Sequence, residues 1–230
     1  MFIPLHDHNP LVHVRRQYVT WGIIALNVAV FLLVEGGGLS SALLATSALS
    51  YGLVPAVFFD LRELTPELAV IPESLSIVSY AFLHGSWLHL GGNMIFLWVF
   101  GDNVEDAMGH GRFAVFYLLC AAASGFVQAA IDPGSTVPIV GASGAVAGII
   151  GAYLVLHPRV RVWVLALGRI PLRVPASWAL VAWFGFQVAK ALGDVGGGVA
   201  WWAHIGGFLA GALLIVPMRR RGVPLFDRGL

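Results

Sequence analysis

Trp201-Trp-Ala-His-Ile-Gly-Gly-Phe-Leu-Ala-Gly-Ala-Leu-Leu-Ile-Val-Pro-Met218, followed at once by Arg219-Arg-Arg221, decides how this chain folds. It is an apolar run with one ionisable side chain, His204, close to the roughly 20 residues a helix needs to cross hydrocarbon. The cations at its end suit lipid headgroups. Working outward, five more runs read the same way, some only with their flanks: about Val19 to Val34, Leu88 to Phe100 (extending upstream through Trp87), Phe113 to Ile131, Ser143 to Leu156, and Trp178 to Leu192. The whole chain is 58% hydrophobic and 11% charged, against about 25% charged residues in an ordinary soluble domain. Too few charges remain to cover a water-facing surface, and lipid removes that requirement.

The expected fold is therefore all-α, a polytopic membrane protein of six transmembrane helices. The cations orient it. With six crossings, Arg15, Arg16, Arg112, Arg159, Arg161, Arg169, Arg173, Arg219, Arg220, Arg221 and Arg228 share one side, and only Arg62 and Lys190 fall on the other. That bias puts both termini in the cytoplasm. Three parts follow: a short N-terminal segment, 1–18; a membrane domain, 19–218; and a basic tail, 219–230. Residues 1–18 lack the apolar core of a signal peptide, so the first run is expected to be retained. A net charge of +1 gives no basic field for nucleic acid. One cysteine, Cys120, excludes an internal disulfide and a multi-cysteine metal site.

The long first loop, about Glu35 to Ser86, carries Gly52-Leu-Val-Pro-Ala-Val-Phe-Phe59 and is expected to be structured at the outer interface. The last outer connector, Gly193-Asp-Val-Gly-Gly-Gly198, reads either as a plain link or as a mobile cover beside a site.

Polar groups inside apolar helices are costly and need a reason. Gly141-Ala-Ser143-Gly144 opens the fourth run, placing a hydroxyl and free N–H groups at a helix start, where negative charge is stabilised. Taken alone it could equally be a small-residue packing surface. His204 lies on one face with Gly207 and Gly211, and the fourth run offers a matching face in Gly144, Gly148 and Gly151. Two glycine faces permit close approach, which would bring Ser143 to His204 as nucleophile and general base. Taken alone, His204 could be a structural histidine bonded to a carbonyl. His89 and Asn93, four apart, share a helix face and can donate to an oxyanion, or simply bond between helices. His84 and His89 are poorly spaced for a metal and have no nearby carboxylate, so no metal is expected. Asp132 and Asp194 sit in outer loops, so the set reads as a dyad rather than a triad. Gln128, Gln187 and Asn27 read as interhelical hydrogen-bond partners, and Trp178, Trp183 and Phe184 as packing or lipid-facing residues.

At these residues the sequence resembles the rhomboid family of intramembrane serine proteases. The resemblance covers about Arg15 to Met218. It rests on His84-Gly-Ser-Trp-Leu-His89-Leu-Gly-Gly-Asn93, Phe100-Gly-Asp-Asn-Val-Glu-Asp-Ala-Met-Gly109, Val140-Gly-Ala-Ser-Gly-Ala-Val-Ala-Gly148 and Ala203-His-Ile-Gly-Gly-Phe-Leu-Ala-Gly211. It implies Ser143 as nucleophile, His204 as base, and an oxyanion hole of His89, Asn93 and the Ser143 N–H. Gly141, Gly144, Gly148, Gly207 and Gly211 would support that site, and Glu105 would tie the inner loop to neighbouring helices. It further implies a six-helix core without a cofactor, transmembrane proteins as substrates cut near the outer surface, and sideways admission at the fifth helix and last outer loop. A bacterial inner membrane is the expected location; substrate identity and oligomeric state are not legible. Two positions depart from the family pattern. Leu75-Ser76 stands where many members have Trp-Arg, and Ala147 stands where an aromatic side chain often stacks on the catalytic histidine. An inactive relative that binds transmembrane clients, and more remotely a small transporter or a haem carrier, are the competing readings. The transporter lacks the repeat symmetry it would need.

Overall fold

The computed structural model of the protein describes residues 2–193 and 198–227. Residues 194–197, including Asp194, and Arg228 of the tail lie outside the described residues, and so does most of the stretch Gly193–Gly198 that reads as either a plain link or a mobile cover.

The chain is mostly helical. After a strand β1 (Phe2–Asp7) come α1 (Tyr18–Leu33), α2 (Ser41–Tyr51), α3 (Pro55–Phe58), α4 (Ser76–Ser79), α5 (Trp87–Met108), α6 (His110–Ile131) and α7 (Ser143–Leu156). A hairpin of β2 (Arg161–Ala166) and β3 (Ile170–Pro175) then leads into α8 (Ala176–Leu192) and α9 (Trp201–Met218). Two of these, α6 and α9, are each long and apolar enough to cross a bilayer by length and composition, while α1 and α7 are apolar but shorter. The outward faces are apolar too: Leu88 is 86% exposed and Leu213 73%. Water disfavours such a surface and lipid does not.

An all-α fold is corrected by a three-stranded antiparallel sheet in the order β1-β2-β3. Phe2 pairs with Ala166, and Arg161 pairs with Pro175. The alternation in Arg161-Val-Trp-Val, with Val162 and Val164 buried and the residues between them facing out, is a half-buried strand pattern. Its partner β1 lies far away in sequence. Residues 2–17 are thus tied to the helices that follow. Tyr153 donates to the Asp7 carboxylate at 2.6 Å. Asp106 accepts the backbone N–H groups of Val12, His13 and Val14.

The second long helix runs past the apolar stretch, from Trp87 to Met108. Of the acids that follow Phe100, Glu105 and Asp106 find their partners on adjacent segments, so the helix continues through them. Glu105 is fully buried and accepts from Val19 N, Thr20 N and Thr20 Oγ1, and it pairs with His110. No side chain from the preceding segment caps α1, so Glu105 fills that role from α5 and its charge favours the helix N-terminus.

The first loop is structured, as its apolar content requires. Leu53, Val54, Ala56 and Val57 are buried, and Leu53 bridges to Ile139. Where a Trp-Arg pair is absent, Leu75-Ser76 forms a short turn in which Ser76 Oγ donates to Glu73 O. The loop is anchored elsewhere, by Ser79 Oγ on Tyr51 O at 2.6 Å and by both Glu35 carboxylate oxygens on His84 N. Glu35 lies beyond the end of α1 and is almost fully buried. Burial pushes its carboxyl up to about 7, opposed by the His84 N–H.

Candidate active site

Glycine determines where α7 and α9 meet. A β-carbon on Gly207 would overlap the Gly144 carbonyl, and one on Gly211 the Gly148 carbonyl. Without side chains at these points the two backbones touch. Contact at that depth sets the first residue of α7 beside the first turn of α9. Ser143 Oγ lies 2.9 Å from His204 Nε2. The first intrahelical bond of α7 is donated by Val146 N to Ala142 O, so the N–H groups of Ser143, Gly144 and Ala145 precede the helix ladder.

Ahead of α7, Gly141 has φ +123°, and an added β-carbon would stand 2.6 Å from the His89 ring. Only glycine combines that backbone with that neighbour. His89 is therefore drawn close to the segment that presents Ser143. Asn93, one turn along α5, is buried and donates through Nδ2 to His84 Nε2 at 3.1 Å. His84 precedes α5 and is fully buried; burial, and secondarily His89, hold it down at about 3. It stays neutral and keeps a lone pair for Asn93.

Ser143, His204, His89 and Asn93 all line one cavity of about 700 Å³, which continues toward Gln128 and Trp183. Gln128 helps frame it, because its Oε1 accepts Ala203 N at 3.2 Å and so binds α6 to α9. The structure brings all four proposed reactive side chains together. Glu105 lies apart from them, near the C-terminal end of α5.

Two features at His204 are not legible from motif spacing. Its Nδ1 faces Gln187 Oε1 on α8 at 2.9 Å. Its ring is flanked by Trp183 at 6.1 Å and by Trp201, edge-on, at 5.9 Å between centroids. The position one turn after Ser143 is the buried Ala147, so aromatic contact comes from α8 and α9 instead. Gln187, a polar residue in the middle of a largely apolar helix and four residues after Trp183, was the available signal. Phe184 packs on Phe208 with centroids 4.1 Å apart, and Trp178 is 74% exposed.

Residues 71–221 match the family model described as the rhomboid domain. Among curated proteins, the chain is 30% identical over 204 residues to rhomboid protease GluP of Bacillus subtilis, covering 86% of this chain and 35% of that protein. It is 27% identical over 193 residues to rhomboid protease GlpG of Klebsiella pneumoniae, covering 84% and 60%. It is 29% identical over 152 residues to the yeast mitochondrial rhomboid protein 1, covering 62% and 41%. In each case the match spans less than two thirds of the relative's own length.

Proposed function

We propose that this chain, which belongs to the rhomboid family and is a polytopic integral membrane protein, is a serine endopeptidase that cuts transmembrane segments of other membrane proteins. The observation that carries the reading is the 2.9 Å contact between Ser143 Oγ and His204 Nε2 at the wall of a largely apolar cavity. A bound peptide carbonyl is attacked by Ser143 Oγ while His204 Nε2 takes its proton. The oxyanion is held by the Ser143 N–H, His89 and the second amide hydrogen of Asn93, whose first hydrogen is committed to His84. Collapse of the tetrahedral species expels the amine, which receives the proton from His204. Water then gives a proton to His204 as it attacks the acyl carbonyl, and collapse of the second tetrahedral species breaks the ester bond, returns that proton to Ser143 Oγ and frees the carboxylic acid product. These are residues of the chain alone, and the scheme calls on no cofactor.

The reading includes six membrane-crossing helices, α1 and α5 to α9. Both termini, with the sheet and the basic tail after Met218, are on the cytoplasmic side, and 19–218 is the membrane domain. The cation distribution supports that orientation. A bacterial inner membrane is part of the proposal, as is a substrate helix approaching from the lipid phase.

A fluorophosphonate or isocoumarin probe tests the pair directly. Wild type is expected to be labelled at Ser143 and His204→Ala to remain unlabelled. Equal labelling of that variant would reject activation of Ser143 by His204.

A further inference from the structure

We infer that Gln187 is a positioning residue for His204, making the functional unit a Ser143–His204–Gln187 triad whose third member is a neutral amide on a different helix. The inference rests on the serine-protease reading above and deepens it.

Four observations carry it. Gln187 Oε1 and His204 Nδ1 are 2.9 Å apart, on the ring edge opposite the Ser143 contact. An amide oxygen only accepts, so the imidazole proton resides on Nδ1 and the Nε2 lone pair faces Ser143. That is the tautomer a general base requires. Secondly, α8 buries Ala176, Ala179 and Leu180 at its inner end, and beyond them only Gln187 among its described residues. An apolar helix that turns a polar side chain inward at that one point has used it for a specific partner. Thirdly, Trp183 lies one turn before Gln187 and also borders His204. The two residues form one face, a flat ring beside the imidazole and an acceptor at its edge. Finally, Ala147 offers no aromatic support from α7, so apart from the Ser143 contact and Trp201 on α9 the ring is held from α8.

The contact also has a mechanical consequence. Ser143 and His204 belong to α7 and α9, which are locked by their glycine faces, whereas Gln187 belongs to α8. Any displacement of α8 away from α9 removes the Nδ1 acceptor while leaving Ser143 and His204 side by side.

The test uses the full chain in detergent micelles with a single-span substrate and with ¹⁵N-labelled histidine. Gln187→Leu is expected to lower kcat about 10- to 100-fold, the consequence of stranding a buried donor, with KM nearly unchanged. Gln187→Glu, which restores an acceptor, should return most of the lost kcat. In the ¹⁵N spectrum, wild-type His204 should carry its proton on Nδ1. Gln187→Leu should shift the ring toward the other tautomer. Wild-type kcat and an unchanged His204 tautomer in Gln187→Leu would overturn the inference, and so would a folded Gln187→Glu as impaired as Gln187→Leu. If Gln187→Leu does not fold, Gln187→Asn withdraws the acceptor by one methylene and is read against the same two outcomes. Wild type that cuts nothing would count against the protease reading instead, and the spectrum would still decide the tautomer.

Discussion

The carbonyl oxygen of Gly144 on α7 occupies the space that a β-carbon on Gly207 of α9 would need. The site geometry depends on this contact, because the nearness of Ser143 and His204 follows from the nearness of their helices. Gly207→Ala should push α9 off α7. Overpacking of this kind costs about 1–3 kcal/mol, visible as a lower thermal unfolding midpoint in micelles. Cleavage should fall further than stability, since the 2.9 Å contact opens. Gly22→Ala on α1, away from the cavity and with nothing within 4 Å of an added β-carbon, is the control and should lower neither.

At Gly141 the constraint is both conformational and steric. Its φ of +123° is unfavourable for a residue with a β-carbon, and that carbon would meet the His89 ring at 2.6 Å. Gly141→Ala should displace His89 from the oxyanion position. Turnover should drop by about 10²-fold, comparable to removing one donor, with probe labelling of Ser143 less affected. Steady-state kinetics beside labelling rates separate the two effects.

Glu105 gives a prediction about stability rather than chemistry. Its buried carboxylate takes three donors from the start of α1 and also bonds His110. Glu105→Ala should destabilise the protein by about 2–4 kcal/mol by stranding buried donors. Glu105→Gln keeps one acceptor oxygen and should lose less. Thermal unfolding of both variants in the same micelles checks the order.

Glu35 makes stability depend on pH in the direction opposite to a salt-bridged acid. Its folded-state value is raised from 4.5 to about 7. Between those values the folded protein keeps a proton that the unfolded chain releases. The stabilising contribution is therefore complete below about pH 4.5, fades as pH rises, and is gone above about 7. Glu35→Gln keeps an acceptor for His84 N and never ionises. It should match wild type near pH 4.5 and exceed it by about 2–3 kcal/mol above pH 7. Unfolding midpoints across that range measure the difference.

Much of the helical frame is legible in the sequence because apolar runs and helices coincide in lipid. Ser143–Leu156 and Trp201–Met218 begin and end where their runs do. The approach of α7 to α9 is legible because glycines four apart mark one face, and that spacing survives without knowledge of the partner. α5 is harder to read: its apolar run stops at Phe100, but the helix continues to Met108 because Glu105 and Asp106 find donors on α1 and on residues 12–14. The sheet is hidden for a related reason. β1 pairs with β2 across most of the chain, and no local periodicity carries that register. Gln187 is the instructive omission from the site. A polar residue far from either end of a largely apolar helix announces that a partner exists, but its identity depends on the rotation of α8 against α9.

The most direct test of the central claim is cleavage of a single-span model substrate in liposomes by wild type and by Ser143→Ala. Wild type should release a fragment cut within or at the edge of the substrate helix, and Ser143→Ala, folded to the same midpoint, should release none. Cutting that persists in Ser143→Ala, or no cutting by folded wild type across several helix-destabilised substrates, would contradict the account.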